Sequence, residues 1–206
     1  MNSYSKNVNK MMPKNSYRIM EFLLRRPGRQ YNVNQISRKL EISVGSAHKI
    51  LSELSGRGII KAVSMGNAIF NQLNLSNSEA KKMCELIFIE SRNRVLDRNP
   101  AARIYAEEIQ KFKPAKALIL FGSILEKGEN AKDVDVLFVI DSTADIKKVD
   151  SFTIEMSKIK SKPVVPLIMT EDDLRTKIRG KEEVTQNIIT TGVVLGGEDT
   201  VVKCME

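Results

Sequence analysis

The chain has 206 residues, 42% of them apolar, and a net charge of +8. That length holds one large domain or two small ones, each able to bury a core, and two small domains are expected. Two distant cysteines (Cys84, Cys204), a lone histidine (His48), no apolar leader and no apolar run of membrane-spanning length exclude a disulfide scaffold, a zinc site and a membrane-embedded protein. A cytoplasmic protein with buried, unreactive cysteines is the expectation.

The charge is unevenly distributed. Residues 1–75 hold 12 Lys+Arg against 3 Asp+Glu, a net of +9, whereas residues 76–206 hold 21 against 22, a net of −1. A basic unit joined to a neutral one points to a polyanion partner for the basic part. Residues 1–13 read as a mobile N-terminus. "SYRIMEFLLRRPGRQ" has apolar residues near helical spacing and a hard stop at Pro27-Gly28. "NVNQISRKL" offers Asn32 as cap with Gln35 three residues on, and "SVGSAHKILSELSGRG" offers Ser43 as cap with Gly58 closing the helix. "IIKAVSMGNAIFNQLNL" reads as a hairpin turning at Met65-Gly66-Asn67.

This order resembles the winged helix-turn-helix of bacterial and archaeal transcription regulators over residues 14–75, through the phrase "QISRKLEISVGSAHKILSELSGRGIIKA". The resemblance implies double-stranded DNA as partner, with the third helix in the major groove and the hairpin tip, at Asn67, on the backbone or minor groove. Ser43, Gly45, Ser46, His48 and Lys49 are the outward positions of that helix, and Arg38, Lys39, Lys49 and Arg57 are the phosphate-contacting candidates. None of the outward residues is a long bidentate base reader, so modest sequence specificity is expected. Against DNA binding stands a winged helix used only for protein contact.

Residues 76–99 read as a connecting helix. Its Met83, Leu86 and Ile87 are available to the next domain or to a second copy of the chain, so a homodimer is one expectation. Pro100 restarts a helix that ends before Pro114. "AKALILFG", "DVDVLFVID" and "PVVPLIMT" read as buried strands, with an amphipathic helix over "ADIKKVDSFTIEMSKIKSK". In "LFGSILEKGENAKDVDVLFV" the first strand stops at Gly122-Ser123, and the next begins at Asp133 and Asp135, which share a face because strands have a period of two. A Gly-Ser turn can present N–H groups and a hydroxyl to phosphate, and two convergent carboxylates repel unless a cation lies between them.

These residues resemble the minimal nucleotidyltransferase domain of the DNA polymerase β superfamily, over residues 100–206. The resemblance implies Gly122 and Ser123 on the phosphates of a nucleoside triphosphate, Asp133 and Asp135 as magnesium ligands and catalytic residues, and transfer of a nucleotidyl group. The departures from that pattern are Lys132 before the first Asp, Ile124-Leu125-Glu126 after the Gly-Ser, and a third strand, "KPVVPLIMT", without the carboxylate that active members place there. Glu171, Asp172 and Asp173 are expected instead to open a helix capped by Thr170.

The expected fold is therefore α/β (α+β) in two domains: a winged helix-turn-helix, a helical connector, and a mixed sheet flanked by helices. The expected function is a DNA-binding transcriptional regulator whose second domain binds nucleotide and magnesium. The alternative is an active transferase acting on a protein or RNA acceptor, as in toxin–antitoxin members of the superfamily.

Overall fold

The computed structural model describes residues 12–206, so most of the expected mobile N-terminus (1–11) lies outside the described residues. Met12 is buried in the core. Helix α1 (Lys14–Leu24) buries a wide apolar face, Tyr17, Ile19, Met20, Phe22, Leu23 and Leu24, and leaves Lys14, Asn15, Arg18 and Glu21 at least partly exposed. After strand β1 (Tyr31–Asn32), α2 (Val33–Leu40) begins with the capping box expected of Asn32 and Gln35. It ends at Glu41, whose left-handed φ of 53° makes the tight turn into α3 (Val44–Gly56). The N–H of Ser46 donates to Ser43 Oγ at 3.2 Å, which caps α3.

Strands β2 (Ile60–Met65) and β3 (Ala68–Leu73) form the hairpin, and β1 adds to the far edge of β3. Met65 faces Ala68, leaving Gly66 and Asn67 as the turn, with Gly66 at a φ of 58°. Positive φ at the first central residue matches the twist of a two-residue hairpin. Helix, strand, helix, helix, hairpin is the order of a winged helix.

Helix α4 (Ser78–Arg98), capped by Asn77, spans 21 residues, and α5 (Pro100–Ile109) restarts behind Asn99. A four-stranded sheet follows in the order β6-β5-β4-β7. It comprises β4 (Ala115–Phe121), β5 (Val134–Ile140), β6 (Val164–Thr170) and β7 (Val193–Gly196). Strands β4 and β5 are antiparallel, β5 and β6 parallel, and β7 runs antiparallel to β4. The intervening helices are α6 (Ser123–Lys127), α7 (Ile146–Ile159), α8 (Glu171–Arg179) and α9 (Glu183–Thr191), and α10 (Glu198–Cys204) closes the chain. Thr170 caps α8 in a reciprocal box with Asp173, as its sequence predicts.

Alternation along the strands separates two cores. Leu118, Leu120, Val136 and Phe138 face α5 and α7, whereas Ala117, Ile119, Leu137, Val139 and Val194 join a cluster that also holds Ala80, Cys84, Ile87 and Phe88 of α4 and the apolar residues of α1 to α3. Helix α4 is thus a core element of both units. Leu86 remains exposed, while Ile87 is buried and Met83 packs against the cluster. Burial pushes the Cys84 thiol up to about 12 and raises that of Cys204 as well, so neither offers a thiolate. No helix of the described residues is long and apolar enough to cross a membrane.

Candidate functional site

The α3 face is built from small and polar side chains. Ser43, Gly45, His48 and Lys49 are exposed, Ser46 is half-buried, and Ala47, Leu51 and Leu54 turn inward to hold the helix. Ser43 spends part of its hydrogen-bonding capacity on the cap. Arg38 and Lys39 are exposed in the last turn of α2, with no carboxylate partner among the described residues. Arg57 differs: its guanidinium pairs with Glu79 at the start of α4, so it ties α3 to the core.

His48 of α3 and Asn67 of the hairpin tip come together in a groove of about 710 Å3. Sequence reasoning gave Asn32 a capping role only and did not single out the other polar groups that line it, among them Asn34, Asn71 and Ser52. Among the described residues no Asp, Glu, Lys or Arg lines this groove. It presents amides, hydroxyls and one imidazole among the apolar Val33, Leu51, Ala62, Ala68 and Ile69, and the polar groups can hydrogen-bond to neutral edges and to ester oxygens alike. Ile69, 59% exposed at the tip end of the hairpin, shares a face with the buried Asn71 and Ile60, so the groove is the outer part of the face that packs inward further along the strands.

The second cluster lies at the end of the large sheet. Strand pairing sets Phe121 of β4, Asp135 of β5 and Val165 of β6 in one row, on the face that carries Ile119, Leu137 and Leu167 in the next. Gly122 adopts a φ of +77°, and a Cβ there would lie 2.1 Å from Asp135 Oδ2. Only glycine lets the backbone pass the carboxylate so closely. Burial, and then the neighbouring Asp133, raise the Asp135 carboxyl above its usual range. Among the described residues neither aspartate lies within ion-pair distance of a basic side chain, Lys127 and Lys132 included. Ser123 opens the short α6, which Asn99 anchors by donating its side-chain amide to Ile124 O at 2.9 Å and to Leu125 O at 3.3 Å.

The position facing Asp135 on the third strand is Val165, which is 44% exposed. Among the described residues no group of three or more His, Cys, Asp or Glu is placed to hold a metal ion. Glu171, Asp172 and Asp173 are committed to the start of α8, Asp173 in the capping box and Asp172 paired with Arg175 at 2.8 Å. Two carboxylates with no counter-ion beside a glycine cradle fit a magnesium ion that takes its remaining ligands from phosphate or water. Asp133 and Asp135 would hold it, and it would supply charge neutralisation.

No family model matches the chain, and no curated protein matches it. Among solved structures, the adhesin competence repressor of Streptococcus pyogenes is similar over 76% of this chain and 88% of its own, at 13% identity and a TM-score of 0.37.

Proposed function

We propose that this protein is a DNA-binding regulator that lays α3 and the hairpin tip against duplex DNA, and that its larger sheet binds a nucleotide with magnesium without transferring it. The observation that carries the DNA reading is the groove in which His48 of α3 and Asn67 of the hairpin tip come together, with Lys49 exposed on α3 and Arg38 and Lys39 exposed on α2. Such a surface reads duplex shape and backbone, with cations supplying affinity and short side chains allowing close approach. The full chain, titrated with duplex DNA at low and moderate salt, should lose affinity steeply as salt rises, because bound phosphates release counterions. Lys49→Ala should weaken binding to all sequences alike and lower the salt slope by about 1. Ser46→Glu sets a carboxylate against phosphate and should reduce affinity by at least about a hundredfold. Salt-independent affinity, or retained binding by Ser46→Glu, would refute the assignment.

The nucleotide reading rests on the unpaired Asp133 and Asp135 beside Gly122 and Ser123. Binding is favoured over transfer because Val165 stands where a third carboxylate would complete the chemistry. A nucleoside triphosphate should give the wild type a magnesium-dependent rise in melting temperature that Asp133→Asn/Asp135→Asn lacks. A wild type that melts at the same temperature with and without both ligands would exclude a nucleotide site there.

A further inference from the structure

Between α1, α2, α4 and the α9–β7 junction lies an open cleft of about 420 Å3, lined by Arg18, Arg25, Arg26, Lys39 and Arg94 and by a single carboxylate, Glu21. Glu21 is taken: it accepts from Arg94. Among the described residues the other cations of the cleft have no carboxylate within ion-pair distance. Arg18 donates to Asn15 Oδ1 and Leu40 O, and Arg26 donates to Phe22 O at 3.1 Å with its guanidinium over the Phe22 ring. Lys39 is exposed, and no partner is found for it among the described residues.

Arg25 is the unusual member, buried to 8% exposure. One guanidinium nitrogen donates to Ile189 O at 3.1 Å and Gly192 O at 2.6 Å, and another to Ser91 Oγ at 2.8 Å. Those are dipolar partners, and they leave a full positive charge in a half-enclosed space beside three more. Confining like charges costs free energy unless an anion shares the space.

We propose that this cleft is a binding site for a small phosphate-bearing anion, held by Arg18, Arg25, Arg26 and Lys39. A cleft of a few hundred Å3 lined by several guanidinium groups suits a pyrophosphate or a nucleotide phosphate chain, because guanidinium forks match phosphate oxygens in pairs. Its walls come from both units: Arg18, Arg25 and Arg26 in and just beyond α1, Lys39 on α2, and Thr190 to Val193 from the larger sheet and its helix. The ligand would therefore bridge α2, the helix that leads into α3, to the C-terminal unit. The cleft is separate from the carboxylates. Gly192 lies one residue beyond the Val193–Leu120 pair, so two strand spacings, about 10 Å, separate it from Asp135. The inference thus stands without the metal–nucleotide reading.

The test uses the full chain in EDTA at constant ionic strength, with inorganic phosphate or pyrophosphate against chloride. At a hundredfold excess over Kd, pyrophosphate should raise the melting temperature by roughly 5–10 °C. Arg26→Gln and Lys39→Gln should each weaken that binding by about tenfold, and Asp133→Asn/Asp135→Asn should not alter it. Phosphate also stabilises proteins through exclusion from their surface, an effect that these variants would not change. A shift equal in wild type and both cleft variants, or no shift beyond chloride, overturns the proposal. If short duplex DNA alone gives a shift sensitive to Arg26→Gln, the cleft follows the DNA backbone and the small-anion site is likewise refuted.

Discussion

Asp135 and Gly122 form a coupled pair. Because Asp135 is raised by burial and by Asp133, the native state holds its proton more tightly than the unfolded chain, and stability declines as pH rises from about 3.8 through the native value. Asp135→Asn should therefore melt no earlier than wild type at neutral pH. The two should converge when thermal melts are run below the unfolded value, and a variant less stable at pH 7 would show that the carboxylate is paired. At Gly122, alanine brings a left-handed backbone strain and pushes the Asp135 side chain away. Gly122→Ala should cost about 1–3 kcal/mol by denaturant unfolding, and less when Asp135 is already Ala, because only the backbone strain then remains. Equal costs in the two backgrounds would mean that the close approach is not felt. The residues found by sequence reasoning were those whose local chemistry is self-contained: Asn32, Ser43 and Thr170 act on N–H groups within three residues. Arg57 has the same exposure that its sequence implies, but its partner, Glu79, is set by a fold that local pattern does not encode.

At the scale of elements, α1 and α9 meet through Arg25. The carbonyls of Ile189 and Gly192 belong to the C-terminal end of α9, where the last carbonyls lack intrahelical donors and the dipole is negative. Arg25 caps that end from another part of the chain, and Thr190 returns the contact by donating Oγ1 to Arg25 O at 3.0 Å. Burial pulls the guanidinium below its ordinary value, and arginine is not deprotonated in proteins, so the cap is charged. Arg25→Met keeps most of the volume, removes every donor and leaves the carbonyls dry. It should cost about 3 kcal/mol and lower the melting temperature by roughly 6–12 °C. A loss below about 1 kcal/mol would mean that water replaces the cap.

For the molecule as a whole, α4 decides how the two units behave. The winged helix packs on one side of it, and β7 and α10 on the other, in one continuous apolar cluster. Arg92 adds a polar tie, donating to Leu195 O at 2.9 Å and pairing with Glu198. Burial shared across two units couples their unfolding. The full chain should melt in a single transition, with calorimetric and van't Hoff enthalpies in agreement; two resolved transitions would show that the units are thermodynamically separate. The sequence by itself determined the helices and hairpin of residues 14–75, the helices over 76–112 and the strands at Leu118, Leu137 and Leu167, because periods of 3.6 and 2, caps and turn residues act over a few positions; β1, β7 and the helices α6, α9 and α10 were not read from it. It also determined the uneven charge and the neighbouring pair Asp133 and Asp135. Only the tertiary structure decided that α4 is core, that Arg25 is buried, that Val165 faces Asp135, and that cations from α1 and α2 line one cleft with β7. Each of these is a contact between residues far apart in the chain, and such contacts leave no local period to read.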